Sequence, residues 1–208
     1  MHTKFANHVD LLDWRRRVQQ VYGDVRALRP SDPTEAHRRW RAARDELFAT
    51  HSQSPLVADD RLRFGGLEYF PYDPELSFAA HIEAATVERL QLGTSTGEVM
   101  AFERFGTVTL PVGTLDVFWL DAYGGGLFVP FRDSTAGNET YGGGRYLLDT
   151  VKGADLGSTA AGALVFDFNF AYNPSCSYDP AWTCPLPPPG NRLDIRVEAG
   201  EKVYTAPD

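Results

Sequence analysis

Leu76-Ser77-Phe78-Ala79-Ala80-His81-Ile82-Glu83-Ala84 is the stretch that decides the fold. Leu76, Phe78, Ala80, Ile82 and Ala84 alternate with Ser77, Ala79, His81 and Glu83, the two-residue period of a strand with one buried face. Toward the C-terminus further short runs follow at Val87–Leu92, Val99–Phe105, Thr107–Leu110, Thr114–Ala122, Leu127–Phe131, Arg145–Thr150 and Leu164–Phe170. Turn signals separate them, notably Gly93–Gly97, Pro111-Val112-Gly113 and Gly124-Gly125-Gly126. About eight or nine strands with short connections and no intervening helix predict a mainly β domain, an antiparallel barrel or sandwich. The barrel is favoured, because closure removes both exposed sheet edges.

Toward the N-terminus the period changes. Leu11, Trp14, Val18 and Val21 recur at helical spacing, with Arg15, Arg16, Arg17 and Gln20 on the other side. Asp32-Pro33-Thr34-Glu35 then supplies an N-cap acceptor, a proline at the first helical position and a carboxylate at N3. A second helix is predicted from Pro33 to about Thr50, burying Ala36, Trp40, Ala43 and Leu47 and exposing Arg38, Arg39, Arg41 and Arg44. The chain therefore divides into a helical N-terminal arm over residues 1–53 and an antiparallel β domain over 54–208.

The segment Tyr172–Asn191 differs from both, since its prolines at 174, 180, 185, 187, 188 and 189 bar helix and central strand alike. Tyr172, Tyr178, Trp182 and Leu186 give it enough apolar area to lie down on the body, so an ordered proline-rich C-terminal strap is expected, with Trp182 as one of its anchors.

The formal charge of -8 is unevenly placed: residues 1–63 carry 12 Lys/Arg against 9 Asp/Glu, and residues 64–208 carry 8 against 19. An acidic body repels phosphate backbones, which argues against nucleic acid as a partner. No stretch approaches the roughly 20 apolar residues of a membrane span, and no apolar run resembles a signal peptide. The expectation is a cytoplasmic protein that meets no membrane and keeps its thiols reduced.

Several longer motifs resemble a known family. Ser54-Pro55-Leu56, Leu67-Glu68-Tyr69-Phe70-Pro71, Thr140-Tyr141-Gly142-Gly143-Gly144-Arg145-Tyr146-Leu147 and Asp167-Phe168-Asn169-Phe170-Ala171-Tyr172-Asn173-Pro174 are similar to those of the bacterial and archaeal family called domain of unknown function 1684. Cys184-Pro185-Leu186-Pro187-Pro188 and Ala199-Gly200-Glu201-Lys202 extend the likeness over roughly residues 35–204. The resemblance implies no activity and no cofactor.

Candidate chemistry is sparse. The two Tyr-Gly-Gly-Gly sequences, at 123–126 and 141–144, lack the Lys-Ser/Thr of a phosphate loop and read as turns. Cys176 and Cys184 have no histidine nearby and fall short of the three or four ligands of a zinc site, so no metal is expected. They are read as a thiol pair brought together by the turn-forming Asp179-Pro180.

On the strand approaching the strap, Asp167 and Asn169 share the face opposite Phe166 and Phe168, and Arg145 and Asp149 flank Leu147. If those faces meet a lumen, Asp133, Arg145, Asp167, Asn169, Tyr172 and Asn173 would line a ligand pocket with Arg145 as anchor for a small anionic molecule. Asp167 or Glu201 would then be available for proton transfer. Arg145 could instead form a buried ion pair with Asp167 or Glu201 that pins the strap, or these residues could be plain surface. No catalytic spacing is recognisable. The alternative is a non-catalytic interaction module, with the helical arm or Pro185–Pro189 engaging a protein partner or a second copy of the chain.

Overall fold

In the computed structural model, which describes residues 2–206, the capping signal at Asp32 does what its position predicts. The Asp32 carboxylate accepts from the backbone of Glu35 at 3.0 Å and starts α2 (Pro33–Thr50), antiparallel neighbour of α1 (His2–Leu28). Ala36, Trp40, Leu47 and Phe48 are buried along α2. A short α3 (Ala58–Leu62) follows.

The deciding stretch is bent rather than straight. Its first half is β1 (Ser77–Ala80), which pairs antiparallel with β7 (Leu164–Asp167) in a two-stranded sheet. Its second half opens β2 (Glu83–Gly93), the first strand of a five-stranded sheet. Leu76, Phe78, Ala80 and Ile82 still turn one apolar face inward through the bend. The bend passes close over a bulge in β3 (Val99–Leu110), where a Cβ on Gly106 would lie 2.4 Å from Ile82 Cγ2 and 2.8 Å from the Glu83 carbonyl oxygen. Only glycine leaves room for that crossing.

β4 (Gly113–Leu120), β5 (Leu127–Phe131) and β6 (Arg145–Asp149) complete the larger sheet in the order β2-β3-β4-β5-β6, antiparallel throughout. Neighbouring residues of its strands go to opposite faces. Phe118 and Phe128 join Trp40, Tyr22 and Phe170 in a cluster beneath the helices, while Val117 and Val129 join Phe166, Phe168, Leu193 and Val197 beneath the small sheet and the C-terminal tail. The result is a layered, sandwich-like arrangement in which β5 and β6 are covered on both faces while β2 is largely exposed.

It is not the closed barrel that edge protection suggested, because β2 and β6 never meet. The strap pairs with the β6 edge and touches the β2 edge only at its end. Tyr146 and Tyr172 exchange backbone hydrogen bonds of 2.9 and 3.1 Å along β6, and Leu186 N donates to the Gly93 carbonyl at 3.0 Å at the end of β2. Seven strands stand among the described residues rather than eight or nine. Val99–Phe105 and Thr107–Leu110 are one strand across a bulge, and Phe168–Phe170 leaves β7 as a 3-10 turn.

Candidate functional site

The polar residues singled out in the sequence separate into three places. Arg145, 1% exposed, is enclosed at the start of β6 with its guanidinium over the Phe131 ring. Nη2 donates to Asp133 Oδ1 at 3.2 Å and to the Val197 carbonyl at 3.0 Å, and Nη1 donates to the carbonyl of Ala199. Asp133 also accepts from Val197 N at 2.8 Å. Burial pulls the Arg145 pKa below its ordinary value, and Asp133 opposes that pull. Arg145 thus binds this chain's own tail.

Asp167 and Asn169 lie under α1. Asp167 Oδ2 accepts from Arg29 Nε at 3.1 Å and from Ser77 Oγ at 2.8 Å. Asn169 Nδ2 donates to Asp167 Oδ1 at 2.8 Å and to the Asp73 carbonyl at 2.7 Å, while its Oδ1 accepts from Asp73 N at 2.8 Å. Both side chains are fully buried, Asp167 tying β7 to Arg29 just past α1 and Asn169 tying the following turn to Asp73.

Tyr172 and Asn173, where the strap begins, stand elsewhere. They border a 70 Å³ cavity beneath α1 and α2 that also touches Arg44 and Lys152. Tyr172 donates to Asp149 Oδ2 at 3.2 Å, and burial raises its pKa well above the ordinary phenol value, so it remains a donor. Asn173 Nδ2 donates to the Lys202 carbonyl at 2.7 Å, and its buried Oδ1 has no protein partner.

Arg44, placed on the solvated face from the sequence, turns inward instead and keeps only 13% of its side chain exposed. Its guanidinium lies against the rings of Trp40, Phe48 and Tyr172, and Nη2 donates to Glu201 Oε2 at 2.7 Å. Glu201 is wholly enclosed, accepts from Asn173 N at 3.0 Å and from the Tyr178 hydroxyl, and has its pKa raised by burial against the pull of Arg44. Its partners leave no carboxylate oxygen for a substrate.

Open space gathers around Lys152. Asp149 ends β6 and caps the 3-10 turn Thr150–Lys152 by accepting from Lys152 N at 3.2 Å. That turn carries the Lys152 ammonium to 3.8 Å from Asp149 Oδ2 and 5.3 Å from the centre of the Tyr146 ring, with the side chain half exposed. Lys152 borders the 70 Å³ cavity and two others. One, of 190 Å³, is walled by Met100, Phe102, Leu120, Phe128 and Pro185. The other, of 320 Å³, lies between α1 and the strap, with Trp14, Arg15, Thr183 and Cys184 on its walls. Asp133, Arg145, Asp167 and Asn169 border none of these three.

The strap forms the outer wall. Tyr146 OH donates to the Pro185 carbonyl at 2.6 Å, Ser95 Oγ to the Trp182 carbonyl at 2.8 Å, and Ser95 N to the Cys184 carbonyl at 2.9 Å. Tyr172 and Tyr178 are buried and anchor it, whereas Trp182, expected among the anchors, is 41% exposed. Cys176 and Cys184 are free, buried and adjacent, Cys176 N donating to Cys184 Sγ at 3.4 Å. Among the described residues no three His, Cys, Asp or Glu side chains converge as metal ligands, and no helix is long and apolar enough to cross a membrane.

Residues 62–202 match the family described as "Protein of unknown function (DUF1684)". The chain belongs to this family. The match is narrower than the 35–204 that the motifs suggested. A DUF1684 chain also resembles the solution NMR structure of an uncharacterized protein from Haloarcula marismortui, at 34% identity and a TM-score of 0.53 over 78% of this chain and 89% of that one. No curated protein matches. Within the DUF1684 region lie Asp149, Lys152, Tyr172 and both cysteines, whereas Trp14, Arg15 and Arg44 come from the helices before it.

Two central residues escaped the sequence reading. Arg44 follows Trp40 by one helical turn and so lies on the apolar stripe, a signal that spacing could have given. Lys152 carried none, since a lysine after Thr150-Val151 reads as ordinary turn surface.

Proposed function

We propose that this chain binds a small amphipathic anion in the cleft around Lys152. The observation that carries the reading is the placement of one half-exposed ammonium on the common wall of an apolar cavity of 190 Å³ and a more polar one of 320 Å³. Binding sites combine apolar walls with a few fixed polar groups in this way. The apolar body of a ligand, a ring or a short alkyl chain, would occupy the space between Phe102, Phe128 and Pro185. Its carboxylate or phosphate would meet Lys152, with Thr183 also on the wall common to both cavities and Arg15 lining the larger one. Asp149 is only loosely matched to the ammonium at 3.8 Å, which leaves hydrogen positions of Lys152 free for an incoming anion. In this reading the ligand would lie beside Lys152 and Thr183, next to the smaller cavity that Tyr172 borders and away from Arg145.

The test is a heteronuclear NMR titration of the full chain with phenylacetate, hexanoate and inorganic phosphate. Phenylacetate or hexanoate should perturb Met100, Phe102 and Lys152 together, and Lys152→Ala should weaken binding about tenfold or more, the worth of one charge-assisted hydrogen bond. Absence of perturbation at those residues with all three probes would overturn the reading.

A further inference from the structure

The two cysteines are unused by that reading, and their setting is specific. The 3-10 turn Ser175–Ser177 reverses the strap, Asp179 N donating to the Ser175 carbonyl at 3.3 Å and Trp182 N to the Asp179 carbonyl at 3.1 Å, so that a sequence separation of 8 becomes spatial adjacency. Cys176 N points at Cys184 Sγ from 3.4 Å, and the Tyr141 hydroxyl stands 3.6 Å from Cys176 Sγ. Cys184 borders the 320 Å³ cavity together with Ser175, the residue before the other thiol. Two reduced thiols side by side, one on the wall of an open space and the other one residue behind that wall, with hydrogen-bond donors around them, are a setting for thiol–disulfide exchange.

We propose that Cys176 and Cys184 are a redox-active dithiol that exchanges with small-molecule disulfides entering this cavity, closing a bridge within the strap. Cys176 is the attacking sulfur. The Cys184 thiol and the Tyr141 hydroxyl both hydrogen-bond to it and hold its pKa down to about 6 against the opposing effect of burial, while the same interaction pushes Cys184 up. Cys176 as thiolate attacks one sulfur of R–S–S–R. The bond between the two R–S groups breaks, a Cys176–S–R bond forms, and the first RS⁻ leaves and takes up a proton. Cys184 then gives up its proton and attacks Cys176 Sγ, forming the intramolecular bond and releasing the second RS⁻, which is protonated in turn. The dithiol has lost two electrons and two protons, and the small disulfide has received both. The bridge would fasten the turn at 175–177 to the wall of the cleft at Thr183–Pro185.

The inference does not rest on the ligand reading, and an uncharged probe keeps the two apart. Folded full-length chain is incubated with hydroxyethyl disulfide, quenched with acid and read by intact mass and peptide mapping. The expected product is lighter by two hydrogen atoms, with peptides 176 and 184 linked and the change reversed by dithiothreitol. Cys184→Ser should stop at a stable mixed disulfide on Cys176, and Cys176→Ser should not consume the probe. The proposal is overturned if the folded chain keeps both thiols while the urea-denatured chain loses them, or if the wild type stops at a mixed disulfide without a bridge.

Discussion

Arg145 Nη2 and Asp133 Oδ1 are 3.2 Å apart with both side chains essentially out of contact with water. Such a pair is held by the cost of breaking it, since one partner removed leaves the other charge buried and unmatched. Asp133→Asn should destabilise the chain by about 3–5 kcal/mol in urea unfolding. It should also loosen the tail, because Val197 N and Thr135 lose a charged acceptor. Unchanged stability would show that the tail carbonyls alone satisfy Arg145.

Arg44 and Glu201 allow a sharper measurement. Glu201→Gln should cost about 3–5 kcal/mol by the same reasoning, and Arg44→Met in addition should recover part of that loss, because the orphaned charge goes with it. A double-mutant cycle with coupling indistinguishable from zero would mean that the 2.7 Å contact contributes nothing to stability.

His37 is stacked on Trp40 and edged by Tyr69 and Phe170, and burial, reinforced by nearby Arg41, lowers its pKa to about 4. The unfolded chain, with an ordinary value near 6.5, takes up the proton first as pH falls, so stability should decline between about pH 6.5 and pH 4. The full difference is about 3 kcal/mol, for a pKa shift from 6.5 to about 4. His37→Phe should flatten that part of the pH–stability curve relative to wild type, and identical curves would refute the assignment.

Tyr178 rather than Trp182 should hold the strap. Trp182→Ala removes a ring that is 41% exposed and should cost less than about 1 kcal/mol. Tyr178→Phe removes the hydroxyl donor from a fully buried Glu201 and should cost about 1–3 kcal/mol, with faster proteolysis within 172–191. The reverse order in a proteolysis series would show that the exposed indole is the true anchor.

How much of this was legible in the sequence depends on the range of the interaction concerned. The α2 cap at Asp32 and the apolar face from Leu76 to Ile82 were readable, because a cap and a strand period are local and each residue's neighbours are fixed by spacing. The bend after Ala80 was not, since it depends on Gly106 in another strand making space. Tyr172 and Asn173 do border the cleft, but Asp133, Arg145, Asp167 and Asn169 are polar residues on strands or just past their ends, and their partners come from Val197, Arg29 and Asp73. A face pattern reports that a side chain points away from the core, and cannot report that a distant backbone will arrive to cover it.

The placement of the tail against Arg145 and Arg44 sets a timetable for the nascent chain. Arg44 meets its carboxylate across a separation of 157 residues, and Arg145 meets the Ala199 carbonyl across 54. During synthesis Arg44 leaves the ribosome long before Glu201 exists, and Arg145, although Asp133 precedes it, leaves long before the tail carbonyls that complete its hydrogen bonding. The helices and sheet can form their local hydrogen bonds in that interval, yet neither buried charge can be enclosed until residues 197–201 have emerged. Final consolidation is therefore a late event, and truncation just before Val197 should yield a chain rich in secondary structure that has no native core.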